Sequence, residues 1–253
     1  MAEELLNTIK IGKKETTVNL GGHNPDVVNY LRVYADNKTA DLDFLADYPN
    51  VETLFINGNF ANIDGISRLT KLKDLSMVLE SSAELTNIRI PGLKSLTVYN
   101  RINEGFFNLL TESVESLELH EIRKLGDLSF LENMSGLKKL NLVSLPAVEI
   151  LPDFGKLPNL YALRIYELHK LNNIESLSRS NIRYLIMMLA ADKLSGTKIA
   201  DVLLRMEHLE KANMVYLDRS GVQRFNVMEN KLKKAERDIP LDAISGYVEW
   251  ERL

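Results

Sequence analysis

The chain has 253 residues, of which 45% are hydrophobic, so it can bury a sizeable core as one large domain or two small ones. Its formal net charge is −4, and it therefore lacks the positive field that a general nucleic-acid binder needs. No segment approaches the roughly 20 consecutive apolar residues that cross a bilayer, so we expect neither nucleic acid nor a membrane as a partner.

The N-terminal sequence and the cysteine content bear on the compartment. The chain contains no cysteine, which favours a reducing environment. The N-terminal Met1-Ala2-Glu3-Glu4-Leu5-Leu6 begins acidic and lacks the long apolar stretch of a signal peptide. Unless a leader has been removed, these two features predict a cytoplasmic protein.

The first predicted element is a β-hairpin. Thr8–Ile11 and residues 16–20 alternate in polarity on either side of Gly12-Lys13-Lys14-Glu15. The run Gly21-Gly22-His23-Asn24-Pro25 then ends the alternation.

From Val28 onward the chain repeats one short phrase, which is apolar at its first, fourth and sixth places. The clearest copy is Leu137-Lys138-Lys139-Leu140-Asn141-Leu142. Nine copies begin at Val28, Val51, Leu72, Leu93, Val114, Leu137, Leu160, Ile182 and Leu209. Their fourth-place residues lie 21 to 27 positions apart, and a period in this range is typical of a leucine-rich repeat.

Each repeat divides into a strand and a return segment. In the return segments apolar residues recur at every third position, as in Ile63-x-x-Ile66-x-x-Leu69, which suits a 3₁₀ turn better than an α-helix. We therefore predict an α/β fold: a right-handed leucine-rich-repeat solenoid with a parallel concave β-sheet and short 3₁₀ or helical convex segments. Polar caps are expected at both ends, because a terminal repeat would otherwise expose its apolar face.

The pattern changes beyond Met188, and the C-terminal region is predicted to contain mixed elements. A helix is expected from Thr197, capped by Ser195 or Thr197, with one apolar face formed by Ile199, Val202, Leu203, Met206 and Leu209. Residues 213–217 and 222–227 flank Asp218-Arg219-Ser220-Gly221, which predicts a hairpin.

The C-terminal residues are expected to hold a helix and an edge strand, and the changes in pattern along the chain set the domain boundaries. Residues 229–238 are charged and helix-prone, Pro240 ends them, and residues 246–250 suit an edge strand. We assign residues 1–27 to an N-terminal hairpin cap, residues 28–189 to the leucine-rich repeats, and residues 190–253 to the last repeat and a C-terminal cap.

The phrase and its every-third-residue run together resemble the short repeats of bacterial internalin-type leucine-rich-repeat proteins and of cytosolic phosphatase-regulating relatives, over residues 28–214. Those families usually place an Asn three residues after the sixth place. Here Asn59 fills that place, whereas seven of the other repeats carry Asp36, Glu80, Arg101, Ile122, Leu145, Leu168 and Leu217. We therefore expect irregular turns at that edge of the sheet.

Candidate binding residues are those at the third, fifth and seventh places, because strand side chains alternate between the two faces of a sheet. Tyrosine and arginine often anchor protein interfaces, although several of these residue types are also simply good strand formers. The candidate partner-binding residues are Tyr34, Phe55, Tyr99, Arg101, Glu118, His120, Lys139, Arg164 and Tyr166. A second, more apolar patch comprises Tyr184, Ile186, Met188 and Val215, which either meets a partner or lies under the C-terminal cap.

Signals for catalysis are weak. None of the four histidines stands in a metal-binding pair, and there is no cysteine nucleophile, G-x-S-x-G turn or glycine-rich phosphate loop. The acid–base candidate is His120 with Glu118. We expect no cofactor and no metal.

These observations predict a monomeric, non-enzymatic module that binds a partner protein on the concave face of its sheet. Three versions stay open: a general scaffold, a bacterial immunity protein that neutralises a toxin, and a surface or secreted adhesion module, the last implied only by the resemblance. An enzyme that uses His120 and Glu118 is the alternative from a different class.

Overall fold

The computed structural model describes residues 7–13, 16–36, 40–80, 88–102, 104–189, 193–216, 218–235, 239 and 241–244. The chain divides into two compact units, which we call unit 1 (Met1–Val114) and unit 2 (Glu115–Leu253). No described helix is long and apolar enough to cross a membrane.

Unit 1 is a six-stranded sheet whose strands follow one another in the order β2-β1-β3-β4-β5-β6. The strands are β1 (Thr8–Ile11), β2 (Thr16–Asn19), β3 (Tyr30–Asp36), β4 (Thr53–Asn59), β5 (Asp74–Leu79) and β6 (Ser95–Tyr99). Short 3₁₀ turns cover Pro25–Val27, Asp43–Asp47, Asp64–Arg68 and Glu104–Leu109. Strands β1 and β2 pair antiparallel, which confirms the predicted hairpin, and β1 extends the parallel sheet from β3.

Unit 2 contains six parallel strands, in the order β7 to β12. They are β7 (Ser116–His120), β8 (Lys139–Val143), β9 (Ala162–Tyr166), β10 (Tyr184–Met188), β11 (Lys211–Val215) and β12 (Leu241–Ile244). The returns are 3₁₀ turns at Ser129–Asn133, Phe154–Lys156 and Glu175–Arg179, followed by two α-helices, α1 (Gly196–Leu203) and α2 (Arg219–Lys234).

The repeated phrase fixes the register of the strands in both units. Strands β3 to β11 each begin at the third place of a phrase, and equal places pair, as in Leu54 with Leu75 and Leu140 with Leu163. All first-, fourth- and sixth-place side chains are buried. One phrase with its return is therefore one coil, and the predicted leucine-rich-repeat fold is confirmed.

The 3₁₀ turns form where the sequence supplies both a starting side chain and an apolar three-residue spacing. In the second coil, the Asn62 Oδ1 accepts the Asp64 backbone N–H at 2.6 Å, which starts the turn. Ile63, Ile66 and Leu69 are then all buried on the same side, as the i, i+3 geometry requires. The predicted 3₁₀ returns are confirmed at these positions.

Backbone carbonyls join each coil to the next at the start of the strands. The Glu52 carbonyl accepts both the Lys73 and the Asp74 N–H, at 2.8 and 3.0 Å. The same double acceptance recurs at Asn29, Lys73, Glu115, Lys138, Tyr161 and Arg183. Because one carbonyl oxygen has two lone pairs, this arrangement satisfies both N–H groups where the chain turns into the sheet.

An asparagine ladder lies at this same edge, whereas the resemblance to internalin-type repeats predicts one at the opposite end of the strands. The Asn159 and Asn181 side-chain amides donate to the carbonyls of Ser135 and Pro158, each at 2.8 Å, one coil earlier. Asn50 does the same to the Asp26 carbonyl at 2.6 Å.

The opposite edge, where irregular turns were expected, repeats one conformation in only part of the chain. The residue after the seventh place is left-handed in four coils, at Asn100, Glu121, Ser144 and Glu167, with φ between 51° and 72°. The Glu121 and Ser144 N–H groups still bond to Val143 and Tyr166 of the following strand, at 2.9 Å each.

Helix α1 confirms the predicted start and Ser195 cap but ends at Leu203, so Met206 and Leu209 of the predicted apolar face lie beyond it. The predicted hairpin around Asp218 is wrong. The Ser195 hydroxyl caps α1 by accepting the Lys198 N–H at 3.2 Å. The Asp218 carboxylate likewise accepts the Gly221 N–H at 2.7 Å, so the turn-like residues start α2. Helix α2 is held by one apolar face, formed by Phe225, Met228 and Leu232.

Three further predicted features involve residues outside the described part of the chain. They are the irregular return at 81–89, of which residues 81–87 are not described, the helix stop at Pro240, and the edge strand at 246–250.

The fold makes a direct prediction for Leu117, the buried fourth-place residue of β7. Leu117→Ala should lower the free energy of unfolding by about 2–5 kcal/mol, because it removes buried contacts and leaves a cavity. Urea denaturation measures this. Ser116→Ala, on the opposite face of the same strand, is the control and should change stability by less than about 0.5 kcal/mol. Equal effects of the two substitutions would contradict the assignment of the core.

Candidate functional site

The third-, fifth- and seventh-place side chains of each unit form one face of its sheet, which we call the unit 1 face and the unit 2 face. On the unit 1 face, from β3 to β6, every one of these side chains is half-buried or exposed. The unit 1 face is therefore open to contact along its whole length.

An aromatic cluster, defined as Tyr30, Arg32, Tyr34 and Phe55, occupies β3 and β4 of the unit 1 face. The Arg32 guanidinium carbon lies 4.5 Å from the centre of the Tyr30 ring, which is a cation–π contact. The Tyr34 and Phe55 ring centres are 5.8 Å apart with their planes tilted by 56°. These contacts hold the rings in place while leaving each side chain half-exposed.

Outside the aromatic cluster, the side chains of the unit 1 face are mostly short and polar. Thr53, Ser76, Ser95 and Thr97 offer only small side chains beside the aromatic cluster. Tyr99 is half-buried at the end of β6, and the exposed Arg101 follows it, with its N–H bonded to the Tyr99 carbonyl at 2.9 Å. The aromatic side chains thus project beyond the short side chains beside them, and a bound partner could contact both.

The unit 2 face carries a hydrogen-bonded group on β7 and β8. The Glu118 Oε2 lies 2.9 Å from the His120 Nε2 and accepts the Asn141 amide at 2.8 Å. Asn141 is completely buried, although it occupies the outward fifth place. These contacts give Glu118 and His120 structural partners within the sheet.

The charge state of Glu118 follows from its partial burial, its hydrogen bonds and the charges near it. Partial burial raises the pKa of its carboxyl, but hydrogen bonds from His120 and Asn141 outweigh that effect. The nearby charges of His120 and Arg164 act in the same direction, so the pKa of Glu118 lies below its ordinary value. Glu118 is therefore ionised at neutral pH, which suits a fixed anion better than a proton donor.

Arg164 differs most from its expected environment. Its outward fifth place predicts an exposed anchor, yet only 3% of its surface is exposed. Its guanidinium carbon lies 5.3 Å from the ring centre of Tyr166, two residues along the same strand. Arg164 therefore packs against Tyr166 and is not directly accessible to a partner.

The apolar patch of the unit 2 face is buried as well. Ile186, Met188 and Val215 are buried and cluster with Ala162, while Tyr161, Tyr166 and Tyr184 pack against them, each half-buried. We call Ala162, Ile186, Met188 and Val215 the face cluster. Of the two outcomes left open by the sequence, exposure to a partner does not fit this burial.

The nine candidate binding residues fall into separate groups. Tyr34, Phe55, Tyr99 and Arg101 belong to unit 1, and Glu118, His120, Lys139, Arg164 and Tyr166 belong to unit 2. Tyr30 and Arg32, which belong to the aromatic cluster, and Asn141, the partner of Glu118, are not among the candidates predicted from the sequence. Their third and fifth places on the strands were the available signal.

A metal site has no support in the part of the chain that the structure describes. Within it, no group of three or more His, Asp or Glu side chains is placed to hold an ion. An open depression beside the left-handed turns is lined by Glu121, Arg123, Ser144, Pro146, Glu167 and His169. Its residues hydrogen-bond to one another, as in Ser144 to Glu167 at 2.5 Å.

Comparisons with known proteins add little beyond the architecture. No protein-family model matches the chain, and no curated protein matches it in sequence. A solved leucine-rich-repeat protein from Leptospira interrogans is similar at 14% identity with a TM-score of 0.40, over 88% of this chain. This chain spans 55% of the length of that protein.

The lowered pKa of Glu118 makes stability depend on pH in a defined direction. Because its folded-state pKa lies below the unfolded value, its contribution is present above the unfolded pKa and is lost as pH falls through the folded pKa. Glu118→Gln should lower the free energy of unfolding at pH 7 by about 1 kcal/mol.

Urea denaturation between neutral and acidic pH measures this difference, which should shrink below the ordinary pKa of 4.5. The exposed Glu207 of the same unit gives the control, Glu207→Gln. A difference between wild type and Glu118→Gln that stays constant down to acidic pH would contradict the assignment.

Proposed function

We propose that the protein is a non-enzymatic binding module and that its partner is another protein, held on the unit 1 face. The observation that carries this proposal is the aromatic cluster, which is fixed by its own ring contacts and remains half-exposed. Solenoids commonly bind through the extended face of their stacked strands.

The side chains of the cluster suit a protein partner. Tyrosine, phenylalanine and arginine supply large contact areas, and Tyr34 adds a hydroxyl that can hydrogen-bond at the edge of an interface. Since Arg32 already rests on the Tyr30 ring at 4.5 Å, little side-chain freedom remains to be lost on binding. The small residues on β5 and β6 leave room for the partner beside the rings.

The unit 2 face supports the proposal less directly. Arg164 and the face cluster are buried, so the candidates with half-exposed side chains there are Glu118, His120, Lys139 and Tyr166. Glu118 and His120 bond to each other, and both side chains are half-buried on the sheet face. This arrangement favours structural and contact roles over acid–base catalysis.

Scaffold, toxin-neutralising and adhesion roles would all use such a face, and the identity of the partner decides among them. The proposal includes a cytoplasmic monomer that binds neither nucleic acid nor membrane. The net charge of −4 supports the nucleic-acid part of that proposal.

The test uses Tyr34→Ala and Phe55→Ala. Each should weaken binding by about 1–2 kcal/mol, roughly 5- to 30-fold in Kd, because each removes a fixed ring from the centre of the proposed contact. Partners are first isolated from the source organism with the wild-type chain as bait, and affinities are then measured by calorimetry.

The matched control is Phe107→Ala, since Phe107 is an exposed phenylalanine of unit 1 on the return turn Glu104–Leu109. Binding that survives both face substitutions, or that Phe107→Ala weakens equally, would place the site elsewhere. Thermal unfolding of each variant confirms that any lost affinity does not come from lost folding.

A further inference from the structure

Two positive charges lie beside the aromatic rings of the unit 1 face. Lys10 on β1 pairs in register with Tyr34 on β3, so its exposed side chain is on the same face as the aromatic cluster. Arg32 belongs to the cluster and rests on the Tyr30 ring. The ion pairs formed among the described residues include neither Lys10 nor Arg32, so both positive charges are available to a partner.

The register of the strands places these charges on a diagonal that leads to a carboxylate. Strands β1, β3, β4 and β5 are adjacent in that order. Arg32 pairs with Phe55 on β4, and Asp74, at the third place of β5, pairs with Thr53. Asp74 is exposed, and its carboxylate accepts the Thr53 hydroxyl at 3.4 Å. Lys10 continues the same diagonal on the other side of Arg32. We call Lys10, Arg32, Phe55 and Asp74 the diagonal row.

We propose that an extended segment of the partner protein lies along the diagonal row, with an acidic residue over Lys10 and Arg32, an apolar residue against Phe55 and a basic residue over Asp74. This inference rests on the proposed function, because it assigns the chemistry of the partner held on the unit 1 face.

The spacing of the row sets the spacing of the charges in the partner. With about 4.8 Å between strands and 3.3 Å per residue along them, Arg32 and Asp74 are separated by two strands and two residues, roughly 12 Å. An extended chain advances about 3.3–3.6 Å per residue, so roughly 12 Å separates side chains three or four positions apart. The partner therefore carries an acidic and a basic residue at that spacing, with an apolar residue between them.

Charge complementarity favours a peptide over a nucleic acid. A single-stranded nucleic acid can stack its bases on aromatic rings, but it carries a phosphate at every nucleotide. Those phosphates would also meet Asp74 and Asp36, which is exposed at the end of β3 on the same face. A peptide can place its carboxylate where the positive charges lie and a positive charge at Asp74, so it matches both ends of the diagonal row.

The rings and the charges contribute differently to recognition. Contact of the apolar residue with Phe55 and Tyr34, whose ring centres are 5.8 Å apart, supplies most of the affinity. The charges at the two ends of the row fix the direction of the segment, because a reversed segment would bring like charges together.

The test begins with a phage-displayed library of random dodecapeptides, selected on the wild-type full chain. Enriched sequences should share an acidic residue, an apolar residue and then a basic residue, with the two charges about three or four positions apart. One enriched peptide is synthesised, and its Kd is measured by calorimetry. Arg32→Glu should weaken its binding at least about 10-fold, because like charges then meet. The matched control is Arg68→Glu, an exposed arginine on the return turn Asp64–Arg68, and should leave the Kd unchanged.

An exchange of charges tests the direction of the segment. A peptide whose acidic and basic residues are exchanged should bind the wild-type chain at least about 10-fold more weakly than the original peptide. It should regain affinity for the double variant Arg32→Glu, Asp74→Lys. If circular dichroism shows that Arg32→Glu is misfolded, the same comparison is made with Lys10→Glu and Asp74→Lys, both at exposed positions.

The outcomes separate this inference from the proposed function. Enriched peptides whose binding ignores charge reversal but is lost in Phe55→Ala would overturn the inference and leave the proposed function standing. Peptides that bind equally well to Phe55→Ala and to the charge-reversed variants would overturn both. The inference also fails if no peptide is enriched, or if a fluorescent oligothymidylate binds more tightly than the enriched peptide and is released by Arg32→Glu.

Discussion

The structure depends on stacking identical apolar places from one coil onto the next. A single strand phrase buries three side chains, and these gain a full set of neighbours only when the adjacent coil presents the same places in register. Leu117 and Leu140 illustrate the arrangement in unit 2, where each is completely enclosed and the two pair across β7 and β8. A parallel ladder fits this requirement, because it aligns equal places without an offset.

The polar features of the turns are consequences of that stacking. Once the strands are in register, the carbonyl of a second-place residue faces two N–H groups of the next coil in seven of the nine coils, as Glu52 does toward Lys73 and Asp74. Asparagine amides then satisfy further carbonyls at the same edge, as Asn159 does toward Ser135. An unpaired backbone N–H or C=O group at these crowded turns would cost free energy. The asparagine ladder therefore stabilises the turn geometry that apolar burial favours.

Much of the fold could be predicted because it repeats. Nine copies of one apolar spacing reinforce each other, so the register of Leu54 or Leu163 does not depend on any single residue. Local signals misled where no repetition supported them. Asp218-Arg219-Ser220-Gly221 reads as a turn on composition, yet the downstream spacing of Phe225, Met228 and Leu232 makes Asp218 a helix cap.

The candidate site was less predictable, because alternation assigns a side chain to a face without saying whether the face is covered. Tyr34 and Phe55 remain accessible, as expected. Arg164 has an equally outward place but is buried beside Tyr166. Contacts with neighbouring strands, such as the hydrogen bond from the buried Asn141 to Glu118 one coil earlier, are not encoded in the period of a strand.

The paired N–H groups on these second-place carbonyls also bear on how such a chain can evolve. Each of these bonds joins a coil only to its immediate neighbour, so the coils within a unit form a linear series. Duplicating or deleting a complete coil inside a unit would leave the remaining junctions chemically unchanged. The length of each sheet, and with it the size of the surface it presents, can therefore change by whole coils through gene duplication while the core of every retained coil is preserved.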